Sequence, residues 1–271
     1  MHTSMHTTMP LTLDHLVILV PELDTAITDY RTLGFTVQPG GTHADGVTHN
    51  ALVVFADGSY LELIAFLRPH PGHRWGGPAA RGHRGYVDFA LLPDSVAAVV
   101  ADAAGRGLAY QGPLDGGRLR PDGERLAWQI GTPPTPELPF LCGDTTARTL
   151  RVPEGAVRQH PNGVTGVACV TVAVADLETS LARYSALLGQ AGERLPLTGL
   201  GLQQARLTLG GANLLLVAPG ASAHGPAAQA LHSALGGRPA GVVGLALHGP
   251  AAASLSLTKT QGAAIEILAG T

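Results

Sequence analysis

The hydrophobic positions of this chain follow two periods that take turns along it. LDHLVILV, residues 13 to 20, is an apolar run rich in branched side chains that stops at Pro21, as a strand does. The next apolar positions, Ala26, Ile27, Tyr30 and Leu33, recur at helical spacing, and Gly34 closes that helix. FTVQPGG, a loop THADGV, a strand HNALVVFA, a turn DGS and a strand YLELIAFL complete a β-α-β-β-β unit. The order then repeats. YVDFALL, a helix opened by Pro93 and Asp94, GGRLR and RLAWQI around a Pro-Asp-Gly turn, and PFLCG make a second unit, with Pro93 in the place of Pro21. GVACVTVAVADLETSLARYSALLG restates the opening a third time, Leu177 and Tyr184 matching Leu23 and Tyr30, and QARLTLGGANLLLVAP supplies its hairpin. A fourth copy is degraded: GVVGLALHG and AAIEILA are strands with little room for a helix between them.

Four such units predict an α+β protein of paired βαβββ modules, forming curved mixed sheets with a concave cavity and the helices outside. The first half spans 11–148 with two modules, and the second spans 160–271 with one module plus the degraded fourth. Residues 149–159 form the linker, within the polar, Pro-containing VPEGAVRQHPNG.

Composition narrows the partners. Of the 271 residues 45% are hydrophobic and 14% charged, so burial is not limiting and disorder is not expected. The formal net charge is −3 and no Lys/Arg stripe forms, which argues against a nucleic-acid partner. The longest apolar runs are strand-length, far short of a membrane helix. The opening MHTSMHTTMP lacks the basic start and apolar core of a signal peptide and reads as a frayed tail. Cys142 and Cys169 are read as free thiols on apolar strands. A soluble, cytoplasmic protein is expected.

One residue interrupts the first apolar strand. Alternation puts Leu13, His15, Val17 and Leu19 on one face, and Asp14, Leu16, Ile18 and Val20 on the other. On YLELIAFL, Tyr60, Glu62, Ile64 and Phe66 share a face opposite Leu61, Leu63 and Ala65. If the aliphatic sets pack on the helices, His15 and Glu62 meet in the concavity. An imidazole beside a carboxylate suits a divalent metal, and equally suits a buried hydrogen-bonded pair with no metal.

The βαβββ repeat, DHLVILV-PELD and YLELIAF resemble the vicinal oxygen chelate superfamily, which includes glyoxalase I, extradiol dioxygenases and bleomycin-resistance proteins. GGTHADGVTHNALVVFADGSYLELIAF followed by HPNGVTGV is similar, more closely, to the bacterial glyoxalase-like domain family. The resemblance implies one divalent ion held by His15 and Glu62, with Glu62 doubling as catalytic base. The other modules depart from the pattern: His15 maps to Val87 and Cys169, the Glu62 position maps to Leu215 in the third copy, and only Glu266 echoes Glu62. A four-ligand site of the glyoxalase I type is therefore not written here, and two protein ligands would hold a metal weakly unless His43, His49 or another residue closes the shell.

The His-rich GGTHADGVTHN offers His43, His49 and Asn50 as substrate contacts, or else a solvated turn. RPHPGHRWGGPAARGHRG offers Trp75 as a wall of the cavity mouth and Arg74 as a charge for an anion, or else an ordinary crossover loop. Arg118 and Arg120 read as solvent-facing. HPNG reads as a tight turn, from which His160 could reach a cavity between the halves. No nucleophile elbow, Walker loop or HExxH is present. Two functions stay open: a metal-dependent lyase, isomerase or dioxygenase, and a metal-free protein that binds or sequesters a small molecule. A third reading is a relic that forms a homodimer through its sheet edges.

Overall fold

The structure, a computed structural model, describes residues 11–120, 122–196, 201–220 and 225–270. MHTSMHTTMP lies outside the described residues.

The first module is β1 (Thr12–Leu19), α1 (Leu23–Thr32), β2 (Gln38–Thr42), β3 (Thr48–Val54) and β4 (Tyr60–Phe66). A short helix α2 (Gly76–Ala80) crosses to the second module: β5 (Gly85–Leu92), α3 (Val96–Gly105), β6 (Gln111–Leu119), β7 (Arg125–Thr132) and β8 (Phe140–Asp144). A single turn α4 (Arg148–Arg151) and a 3-10 turn (Gly155–Arg158) lead to the third: β9 (Gly166–Ala173), α5 (Leu177–Leu188), β10 (Glu193–Leu195), β11 (Leu202–Leu209) and β12 (Ala212–Pro219). Helix α6 (Pro226–Leu235) then precedes the fourth, β13 (Gly241–Gly249), β14 (Ala253–Ser254) and β15 (Ile265–Ala269).

The helices follow from the pattern. Leu23, Ala26 and Tyr30 give α1 one buried stripe, and Gly34 at φ 85° ends it. In α5, Asp176 caps the first turn by accepting the Thr179 N–H at 2.8 Å, and Gly189 closes the last turn in the left-handed region.

Two mixed sheets result. The first has the order β2-β3-β4-β1-β5-β8-β7-β6 and the second β10-β11-β12-β9-β13-β15-β14. Modules pair within the chain, first with second and third with fourth. In each sheet the opening strands of the two modules run antiparallel, β1 against β5 and β9 against β13. The main core lies on the convex faces, where Leu16, Ile18, Leu61 and Leu63 of the first sheet join Val170, Val172, Leu214 and Leu216 of the second around Tyr30 and Tyr184. The tyrosine hydroxyls leave that core satisfied: Tyr30 donates to the Thr260 carbonyl at 3.2 Å and Tyr184 to the Glu137 carbonyl.

The concave faces differ. The first sheet curls until its edge strands touch: His43 bridges to Arg118 and the Ala44 N–H donates to the Gly117 carbonyl at 3.3 Å. On the second sheet, Leu231 and Leu235 of α6 pack against Ala173, Val217 and Val243. One helix therefore lies inside a concavity rather than outside it, and the open site belongs to the first half.

Candidate functional site

Strict alternation fails once on β1, and the failure builds the site. The β1–β5 register shifts between Leu13 and His15, so Asp14 is a bulged residue. Leu13 joins the convex-side core instead of sharing a face with His15. Asp14 and His15, neighbours in sequence, turn toward each other: His15 Nδ1 lies 2.7 Å from Asp14 Oδ2. Beyond the bulge alternation resumes, with Val17 and Leu19 packing on Ile64 at the concave side.

The parallel register of β1 and β4 sets His15 beside Tyr60 and Val17 beside Glu62. His15 Nε2 lies 3.4 Å from Glu62 Oε2. His43 approaches the other oxygen, its Nε2 3.5 Å from Oε1, while its Nδ1 meets Thr48 Oγ1 at 2.8 Å. Asn50 on β3 donates its amide to Oε1 at 2.5 Å. The side-chain oxygen Oδ1 of Asn50 is turned toward Gly40, where an added Cβ would stand 1.9 Å from it, so only glycine admits this placement. Tyr60 stacks on His15 with ring centroids 4.6 Å apart, and Phe140 meets the imidazole edge-on.

Behind His15 lies a buried ionic layer. Asp14 accepts from Arg151 Nη1 at 2.8 Å and from Arg148 Nη1 at 2.7 Å. Arg151 also holds Asp144, at 2.5 Å through Nε, and donates to the Tyr60 hydroxyl at 2.7 Å. The charges settle one another. Burial alone would raise the Asp14 pKa, but the Arg151 charge and the His15 hydrogen bond hold it far below the carboxylate range. Burial would lower His15, and the carboxylates of Asp14 and Glu62 beside it raise it instead. Burial would raise Glu62, but His15, His43 and Asn50 bring it down to about 2.

These groups floor a cavity of about 360 Å³ walled by Trp75, Trp128, Ile130 and Phe140. Of the residues read from sequence, the structure brings His15, His43, Asn50, Glu62 and Trp75 to this cavity. It does not bring His49 or Arg74 there. His49 follows Thr48 and precedes Asn50 on a regular strand, so it faces the opposite side. Arg74 is committed to Asp88 at 2.5 Å and lies over the Phe140 ring. His160 packs between Phe35 and Phe55, away from the cavity. Glu266 is exposed and accepts from Ser254 at 2.6 Å.

Sequence reading missed Asp14, Tyr60, Arg118 and Arg151. Arg118 is a correction: expected on a solvent-facing strand, it is 6% exposed, because the curled sheet folds its strand onto β2. The available signals were two consecutive polar residues, Asp14 and His15, in an apolar strand, and Arg148 and Arg151 one helical turn apart.

The donor chemistry suits a divalent ion at two positions. In its neutral form, with Nδ1–H given to Asp14, His15 would offer the Nε2 lone pair to an ion beside the Glu62 carboxylate. Among the described residues no set of three His, Cys, Asp or Glu side chains encloses an ion. Protein groups would thus fill two positions and leave the others to water or ligand.

The fold is shared with solved structures. A hypothetical protein from Staphylococcus aureus aligns at 12% identity and TM-score 0.70, over 96% of this chain and 99% of that one. A mutant 4-hydroxymandelate synthase from Streptomyces coelicolor aligns at 16% and 0.58, over 89% and 72%. A fusion of a xylose isomerase-like TIM barrel with 4-hydroxyphenylpyruvate dioxygenase aligns at 15% and 0.56, over 90% of this chain and 38% of that one. The sequence profile of the glyoxalase-like domain matches residues 13–188, and the chain belongs to that family. No curated protein sequence matches it. Among the described residues no helix is long and apolar enough to cross a membrane.

Proposed function

We propose that the first-half cavity is the functional site, taking a small molecule with neighbouring oxygen atoms over one divalent ion held by His15 and Glu62. The reaction class is that of a metal-dependent lyase, isomerase or dioxygenase. The observation that carries this reading is a spacing. His15 Nε2 stands 3.4 Å from Glu62 Oε2. A hydrogen bond between a charged N–H and a carboxylate closes to about 2.8 Å. Groups that share an ion stand farther apart than hydrogen-bonded partners do, and His15 and Glu62 would hold it between them.

A bound ion supplies Lewis acidity to the oxygens of the ligand. The protein's own groups do the rest. Asp14 fixes the His15 ring, and Arg148 and Arg151 keep Asp14 ionised. Asn50 orients the Glu62 carboxylate. The aromatic walls give these groups an apolar surround, which strengthens their electrostatic interactions. A carboxylate whose pKa sits at about 2 is a weak base, so Glu62 serves first as ligand. His43, tethered at Nδ1 by Thr48, has its Nε2 at the cavity to carry a proton.

The test is metal content of protein trimmed of MHTSMH, as wild type, His15→Ala and Glu62→Gln. Retention of Zn, Mn, Ni or Fe by wild type, lost in both variants, is the expected result and opens a screen of α-keto aldehydes and catechols. No retention of any of the four by wild type would overturn the metal reading and leave a metal-free binding cavity.

A further inference from the structure

A second cavity, of about 340 Å³, adjoins the first and shares Leu52, Arg118 and Arg151 with it. Arg118 thus stands at the boundary of two hollow spaces while being 6% exposed. Its Nη1 donates to the Gly40 carbonyl, which ties β6 to β2 and fixes where the guanidinium sits.

The charge of Arg118 is the anomaly. Three other arginines beside the cavity grip carboxylates: Arg74 holds Asp88, while Arg148 and Arg151 hold Asp14 and Asp144. Arg118 makes no direct salt bridge among the described residues, and the charge of Glu62 acts on it only at longer range. Glu62 lines the same cavity but is already occupied by His15, His43 and Asn50. A buried cation without a counter-ion is costly, and a guanidinium with its fork only partly used is a shaped receptor for a carboxylate. Rings dominate the apolar wall of the first cavity, with Trp75, Trp128 and Phe140 on its sides and Tyr60 on its floor.

We propose that Arg118 is the anion anchor of this cavity, so that its ligand is a small carboxylic acid with an apolar, ring-sized body. This deepens the functional reading above and rests on the first-half cavity being the site. It does not rest on the ion. The carboxylate completes the missing ion pair, and the body of the ligand lies along the aromatic wall toward Glu62.

The chain's two tryptophans, Trp75 and Trp128, both line the cavity, so intrinsic fluorescence reports its occupancy. The probes are phenylacetate and its neutral counterpart phenylacetamide, titrated into EDTA-treated full-length protein. Wild type is expected to bind the acid roughly ten- to a hundredfold more tightly than the amide. Arg118→Gln should erase that preference and Arg118→Lys should keep part of it. Arg118 also clips β6 to β2, and a merely structural role would weaken acid and amide alike while lowering the melting temperature. Equal binding of the two probes by wild type, failure of wild type to bind either, or a preference that survives Arg118→Gln would each overturn the proposal. Loss of metal retention with the acid preference intact sinks the chelate reading alone, and the reverse pattern sinks this one alone.

Discussion

Asp14→Asn is the most informative single change, because Asp14 connects the site to the ionic layer beneath it. Its carboxylate is fully buried and accepts from His15, Arg148 and Arg151 at 2.7 to 2.8 Å. Asparagine keeps the shape but removes the charge and turns an N–H₂ toward groups that are all donors. Removing one partner of a buried ion pair costs about 3–5 kcal/mol. Here Asp144 still takes Arg151 through two bonds and Arg148 at 3.1 Å, which places the loss near the lower end. About 3 kcal/mol corresponds to a fall in melting temperature of roughly 6–12 °C for a chain of this size.

The same variant has a pH signature in metal-free protein. His15 is raised above 6.5 in the fold, so its stabilisation is fully present below 6.5 and is lost as pH rises through the raised value. Removing Asp14 lowers that value, and the alkaline loss of stability begins at lower pH. Scanning calorimetry of EDTA-treated wild type and variant across the neutral and alkaline range reads both effects. A fall of less than about 1 kcal/mol, or an unmoved alkaline limb, would refute the role of Asp14 as counter-ion to His15 and the two arginines.

Other predictions bear on neighbouring residues. Glu62 is lowered from 4.5 to about 2, so its contribution is present above 4.5 and fades as pH falls toward 2. Glu62→Gln should flatten that acid limb in a melting-temperature profile, and an unchanged limb would contradict the burial of an ionised Glu62. Gly40→Ala sets a Cβ 1.9 Å from Asn50 Oδ1, so the side-chain amide must leave Glu62. Destabilisation of about 1–3 kcal/mol, with weaker ligand quenching of the tryptophans, is expected, and a neutral substitution would show that Asn50 does not depend on this glycine. In the second half, Leu235→Asp on α6 should unseat that helix from the second sheet and raise its protease sensitivity, while leaving fluorescence titrations of the first cavity unchanged.

The module order was legible in the sequence because each element carries its own period. β4 buries alternate residues on two different surfaces, α1 buries one stripe, and glycines or prolines mark the ends. His15, Glu62, Asn50 and His43 were legible as candidates because polar groups in apolar strands, and histidines beside glycines, are expensive to keep without a use. Neighbour-by-neighbour reading failed where one element's geometry depends on another. The bulge at Asp14 exists only against β5, and it alone turns Asp14 toward His15. Arg118 looked solvent-facing because an edge strand seen alone is exposed, yet sheet curvature carries it onto β2 and buries it. Arg151 sits in what reads as a polar linker, and only the return of α4 beneath β1 makes it the counter-ion of Asp14. Local pattern therefore determined the modules and the candidates His15, His43, Asn50 and Glu62. Pairing register, curvature and the charge balance of the cavity were decided by tertiary structure, because each arises from contacts between residues far apart in the chain.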